Sequence, residues 1–287
     1  MVLLLTSSVF ARLNVDTSYA TFGKIAQKIG GDLVKVTVLG SAKYDPHFIV
    51  PKPSLLTKLR RADLLVINGA GLEIGWLPPL IQSAHNPDIQ VGAKGFLDLS
   101  HSVHLINIPT SVSRAFGDVH AQGNPHYITD PHNVLVIAEV IKNRLATLDS
   151  ENSQTYEKNY EAFKEEWQNF LMQFDTKMKT CKDKKVVQYH ELFNYFLKRY
   201  NYTSFANLEP LPGITPSSKH TLEVINMMRK NSVGMILQDV YHEKKTAKFI
   251  AAKTDARVVL LPHEVGSLKS ADTLEHFYES MAESICQ

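Results

Sequence analysis

Histidines are the residues of this sequence best placed to do chemistry. His47 lies in Tyr44-Asp45-Pro46-His47. His120, His126 and His132 fall within G-D-V-H-A-Q-G-N-P-H-Y-I-T-D-P-H-N. His190 ends an apolar run, and His263 with Glu264 sits in L-P-H-E-V-G. Neutral imidazole is a borderline ligand that suits Zn, Cu, Ni and Fe, whereas Mg, Ca and Mn prefer oxygen. Three imidazoles with a carboxylate or a fourth imidazole form a tetrahedral set for Zn²⁺. A lone loop histidine is ordinarily a surface or core residue. These positions stand apart because each follows a predicted strand or lies in one loop-rich stretch. Hydrolytic motifs are missing. His-Glu occurs at 190–191, 242–243 and 263–264, but the residues four after each His are Asn194, Thr246 and Ser267, so HExxH is absent. Neither a G-x-S-x-G elbow nor a Walker-type phosphate loop occurs. A zinc hydrolase, using an open position on the metal to activate water, is kept as a rival from another class.

The elements that must carry these residues alternate. Apolar, β-branched runs at 33–39, 63–68, 185–189, 203–208, 234–237 and 257–261 read as buried strands. Between them, helical periodicity marks 18–29, 53–62, 191–200, 217–231, 244–254 and 271–285. A further helical pattern at 72–84 is broken by Pro78-Pro79, and another opens at 131 and runs to 148. Residues 93–131 are rich in Gly, Ser, His and Pro and show little periodicity. Residues 151–179 form one long amphipathic helix, with Tyr156, Tyr160, Phe163, Trp167, Phe170, Leu171, Phe174 and Met178 at helical spacing. The pattern predicts an α/β fold with parallel-type sheets: two α/β lobes joined by one long linking helix. The expected divisions are 1–11 as a possible truncated signal segment, 12–150 as the N-terminal lobe, 151–180 as the linking helix and 181–287 as the C-terminal lobe. Ligands of such sheets sit outside the carboxyl ends of the strands, where the histidines fall. A cleft between the lobes is the expected metal site.

Composition narrows the class. The 287 residues are 44% hydrophobic, enough to bury a core in each lobe. Charged residues make up 21% and the formal net charge is only +2, with Lys and Arg scattered, which argues against nucleic-acid binding. No apolar run reaches the roughly 18–20 residues a membrane helix needs. Met1–Ala11 resembles the back half of a secretory signal without its basic start. Cys181 and Cys286 are not in a CxxC motif; one disulfide in an exported protein and two buried thiols are both open.

Several spaced motifs together resemble the zinc- and manganese-binding solute-binding proteins of bacterial ABC importers. They are I-A-Q-K-I-G-G-D-L-V-K-V (25–36), Asp45-Pro46-His47, the strand running into N-G-A-G-L-E (59–76), N-P-H-Y-I-T-D-P-H-N (124–133), V-V-Q-Y-H-E-L-F (186–193) and E-P-L-P-G-I-T-P-S (209–217). The likeness runs along nearly the whole chain. It implies two lobes with a metal between them, binding without catalysis, a periplasmic or other extracytoplasmic location, and delivery of the ion to a membrane ABC permease by a monomer. It also implies His47, His126 and His190 as ligands. The fourth ligand departs from the family's usual Asp: His263 stands at that offset from Gly266, with Glu264 beside it, and Asp239 or a water is the alternative. Manganese members generally carry a carboxylate at the third position, so His190 favours Zn²⁺ over Mn²⁺. His101, His104 and His120 resemble a thin version of the zinc members' His-rich loop, with His120 as a capture or supporting residue. Asp118 and Asp130 are candidates to orient imidazoles, whereas Tyr127 and Trp76 read as core. An adhesin on the same fold is a further alternative.

Overall fold

The computed structural model describes residues 12–110 and 120–287; the 1–11 segment and Asp118 lie outside the described residues. Among the described residues the chain builds two four-stranded sheets, both wholly parallel. In the first, β1 (Leu13–Thr17), β2 (Val34–Val38), β3 (Leu64–Ile67) and β4 (Phe96–Asp98) are ordered β2-β1-β3-β4. In the second, β5 (Lys185–Gln188), β6 (Thr203–Asn207), β7 (Met235–Gln238) and β8 (Arg257–Leu260) are ordered β6-β5-β7-β8. The two sheets therefore repeat one topology. β3 (LLVI) and β7 (MILQ) sit at the same inner position of their sheets and are buried at every residue. Such continuous burial is expected of a parallel strand covered on both faces.

Around the first sheet lie α1 (Ala20–Gly30), α2 (Pro53–Leu59), α3 (Leu77–Ala84) and α4 (Asn133–Leu148). With the second go α6 (Asn194–Arg199), α7 (Ser218–Asn231), α8 (Lys245–Thr254) and α9 (Leu274–Ile285). Helix α1 buries Phe22, Ile25, Ala26 and Ile29 and ends at Gly31, whose φ of 53° is one a residue with Cβ adopts only under strain. Between the lobes runs α5 (Ser153–Thr180), 28 residues long. Its buried stripe is Tyr156, Tyr160, Phe163, Trp167, Leu171, Phe174 and Met178, and it packs against α1, α4 and α9. The Trp167 ring also donates its N–H to the carbonyl of Pro131 at 3.0 Å, tying α5 to the turn that opens α4. Tyr127 and Trp76 are buried, as expected of core residues.

Two local expectations are corrected. Pro78-Pro79 do not break a helix; they open α3, where their missing N–H groups cost nothing, and residues 71–76 form turns before it. The aperiodic stretch contains β4, three residues paired to β3. Cys181 and Cys286 form a disulfide that joins the end of α5 to the end of α9, with Cα atoms 4.8 Å apart.

Side chains from one lobe also fasten to the other. Arg199 of α6 grips Asp130 through three contacts of 2.8–3.1 Å. Tyr195 donates its hydroxyl to the carbonyl of Asn124 at 2.6 Å, and the Asn124 side chain donates to the carbonyl of Glu191 at 2.6 Å.

Candidate metal centre

His47 lies on the loop that leaves β2. Asp45, two residues earlier, accepts its backbone N–H at 2.9 Å and its ring Nδ1–H at 2.7 Å. The intervening Pro46 carbonyl accepts from the Tyr19 hydroxyl at 2.8 Å and the Trp76 ring N–H at 3.3 Å, so two buried aromatics fix the loop. Burial works to raise the Asp45 pKa, but the bonds and charge of His47 outweigh it and hold the carboxyl below its ordinary value. A carboxylate at Nδ1 places that proton there and leaves the Nε2 lone pair facing the cleft.

His126 is set by a chain of contacts that begins in β3. Glu73 accepts the N–H groups of Asn68 and Gly69 at 2.7 and 3.1 Å, closing the turn at the strand's carboxyl end. The Asn68 amide then donates to the Pro125 carbonyl at 3.0 Å, and Asn68's own carbonyl accepts the Tyr127 hydroxyl at 2.6 Å. His126 stands between those two anchored neighbours and is buried.

His190 lies two residues past the end of β5. Its Nδ1 makes a short hydrogen bond to Glu209, which follows β6 and whose second oxygen accepts from the Gly213 N–H at 3.2 Å. The His190 lone pair at Nε2 is thereby also turned toward the cleft. Beside it, His242 stacks on Tyr189 with centroids 4.3 Å apart and gives its Nδ1–H to Asp239 at 2.7 Å. Burial works to lower the His242 pKa, but Asp239 and Glu209 reverse this and raise it above the usual imidazole value.

The potential donor atoms of His47, His126 and His190 all lie within 4.8 Å of one another. His126 Nε2 is 3.1 Å from His190 Nε2. Burial, followed by the neighbouring imidazoles of His190 and His47, drives the His126 pKa well below its usual value, so the ring is neutral near pH 7. Three converging imidazoles are a donor set that fits a borderline divalent ion and gives a hard cation nothing it prefers. His47 and His126 are carried by the first lobe and His190 by the second.

The other nominated residues fall differently. Glu264 is buried with its carboxylate on Thr21, from which it accepts the backbone N–H at 2.6 Å and the hydroxyl. Burial raises its pKa to about 7. His263 is buried with Nδ1 unpartnered, and its pKa falls to about 4 through burial. Neither belongs to the group of mutually close donors. Asp239 serves His242 rather than capping a helix, since α8 begins only at Lys245. Asp130 is occupied by Arg199 and orients no imidazole of the site. His120 is also outside that group, but it reaches its edge, with Nε2 3.0 Å from His47 Nε2. The sequence reading assigned no role to Asp45 or Glu209, although both stood inside quoted motifs. Asp45's position two residues before His47 was the available signal.

Residues 15–287 match the family model described as zinc-uptake complex component A, periplasmic. The chain belongs to this family. Among the relatives of this chain is the zinc-binding lipoprotein AdcA of Streptococcus pneumoniae, 24% identical over 91% of the chain. The chain spans about half of that relative's length, 52%. The manganese ABC transporter substrate-binding lipoprotein scaA of Streptococcus gordonii is 28% identical, covering 87% of the chain and 79% of the relative. A crystal structure of ZnuA superposes with a TM-score of 0.75 at 25% identity, over 96% of this chain and 99% of that one. The cadmium-bound periplasmic metal-binding protein of Candidatus Liberibacter asiaticus shares the fold with a TM-score of 0.78 at 22% identity, over 96% and 100%. Two lobes on parallel sheets with a long helix between them are thus the family's architecture as well as this chain's.

Proposed function

We propose that this protein is the extracytoplasmic solute-binding component of an ABC importer, which captures Zn²⁺ between its lobes and hands it to a membrane permease. The observation that carries the reading is the convergence of His47, His126 and His190, with carboxylates at the far nitrogens of His47 and His190. Imidazoles fixed in this way form a site of the kind found around zinc, where the outer carboxylate sets the tautomer and strengthens the ligand. Because both lobes contribute, the bound ion acts as a cross-link between them. The long α5 and the side-chain ties between lobes keep that closure small. The role is binding by a monomer, without catalysis and without nucleic acid, in line with the net charge of +2. His263 and Glu264, nominated beside the three histidines, stand as second-choice ligands that would have to turn toward the ion.

Relatives named for zinc and for manganese leave the choice of metal to the donors. All three convergent donors are nitrogen, which favours Zn²⁺ over Mn²⁺. The test is a titration of chelator-stripped protein against a chromophoric competitor, with zinc and manganese in parallel. One equivalent of tight zinc, weak manganese, and loss of zinc binding in His190→Ala are expected. Tight manganese in the native chain, or undiminished zinc binding in His190→Ala, overturns the assignment.

A further inference from the structure

Three imidazoles leave one corner of a tetrahedron open. Of the residues proposed from sequence to fill it, His263 keeps an unpartnered Nδ1 but packs its ring on Tyr241, with centroids 4.9 Å apart, and the two carboxylates are engaged elsewhere. The Glu264 carboxylate is held by Thr21, and Asp239 is held by His242. His120 is different. Its Nε2 lies 3.0 Å from the Nε2 of His47, matching the 3.1 Å between His126 and His190. In a tetrahedral zinc site with Zn–N near 2.0–2.1 Å, neighbouring nitrogens stand about 3.3–3.4 Å apart. Two imidazole pairs are therefore already at nearly the spacing that one ion would impose.

The ring arrangement agrees. His47 has His120, His126 and His190 around it, with centroids at 5.1, 5.3 and 5.4 Å. His120 also stands perpendicular to His126 at 6.1 Å. His47 and His120 share a wall of a half-open cavity of about 380 Å³, together with Phe48, Leu72 and Ile74. His120 thus lies on the solvent side of the cluster, where an arriving ion meets it first. Gly71 flanks the far side of the ring. A Cβ there would stand 3.6 Å from His120 Nδ1, at ordinary contact distance, so this backbone lies directly against the ring.

We propose that His120 is the fourth ligand of the captured ion, making the closed site one of four imidazoles. This rests on the zinc-binding function proposed above. The hydrogen-bond pattern defines what binding requires. His47 Nε2 carries a lone pair, so the 3.0 Å contact needs the proton on His120 Nε2 in the metal-free protein. Ligation by that nitrogen moves the proton to Nδ1, a change of tautomer with no net change of charge. An all-imidazole set also separates zinc from manganese more sharply than three imidazoles and a carboxylate.

The deciding experiment is zinc K-edge X-ray absorption on the full chain loaded with one equivalent of Zn²⁺. It is paired with competition titrations of His120→Ala, Glu264→Gln and His190→Ala. Four imidazole scatterers are expected in the native protein and three in His120→Ala. Zinc affinity in His120→Ala should fall on the order of 100-fold, while Glu264→Gln keeps four imidazoles. Three imidazoles with an oxygen in the native protein overturn the proposal, as do four imidazoles that persist in His120→Ala. The native spectrum needs no variant to fold, and circular dichroism of metal-free His120→Ala checks that its loss is local. If only the His120 result fails, the three-histidine site stands. If His190→Ala keeps tight zinc, the site assignment itself falls, and the role of His120 with it.

Discussion

Asp45 and Glu209 decide which nitrogen His47 and His190 turn toward the cleft, each by bonding the opposite nitrogen. Replacing Glu209 with Gln keeps the shape but removes the charge behind His190. Zinc affinity should drop about 10–100-fold while the metal-free melting temperature stays close to native, as read by competition titration and calorimetry. A loss below about threefold would mean that packing alone orients the ring. Glu73 offers a second test through pH. Burial raises its pKa from 4.5 to about 7, so the folded state holds more protons than the unfolded state between those values. Stability from this group is present below pH 4.5 and is lost as pH rises toward 7, by roughly 3 kcal/mol at about 1.36 kcal/mol per unit. Glu73→Gln should flatten the fall of unfolding free energy between pH 5 and 8; an unchanged slope would place the titration elsewhere. The sequence exposed His47, His126 and His190 because each follows a buried strand or sits in a dense motif. It hid Glu209 because that carboxylate is 19 residues from the imidazole it serves, a distance that only the crossover from β5 to β6 makes short.

At the scale of elements, the aromatic stripe of α5 was legible because its spacing repeats over 28 residues, longer than any competing pattern. Trp167 is its fully buried centre, ringed by Phe163, Phe170 and Tyr278 with centroids 5.8, 4.6 and 5.7 Å away. Trp167→Ala should cost about 3–5 kcal/mol in chemical denaturation, since it leaves a large cavity and frees the Pro131 carbonyl. A cost near 1 kcal/mol would show that the helix collapses onto the gap. The same periodicity logic could not see β4. Three residues give no period, and only their pairing with β3 makes Phe96–Asp98 a strand. Pro78-Pro79 misled for a related reason: proline forbids a helix interior but suits a first turn, and sequence alone does not say which turn it occupies.

For the whole molecule, the repeated sheet topology was readable as alternation, while the way the lobes clasp was not. Contacts such as Arg199 with Asp130 and Glu264 with Thr21 join residues 69 and 243 positions apart. The disulfide acts at this scale too. It closes a loop of 105 positions, so removing it as a Cys181→Ser, Cys286→Ser pair should cost about 3–5 kcal/mol of unfolding free energy. An unchanged denaturation midpoint would show that the unfolded chain was not being restrained.

That bond also orders events in time. Every strand and helix of the second sheet lies between its two sulfurs, and α9, the last of these elements, ends immediately before Cys286. As the chain emerges, the first lobe and α5 are complete before any of the second lobe has been made, and domains generally fold in that order. The second lobe can be sealed at its neck only after all of its elements exist. Until then it is an open arm, free to sort its strands, and oxidation fixes the result. A single backbone cut within the sealed lobe would then leave one molecule rather than two, parting only when a reductant is added.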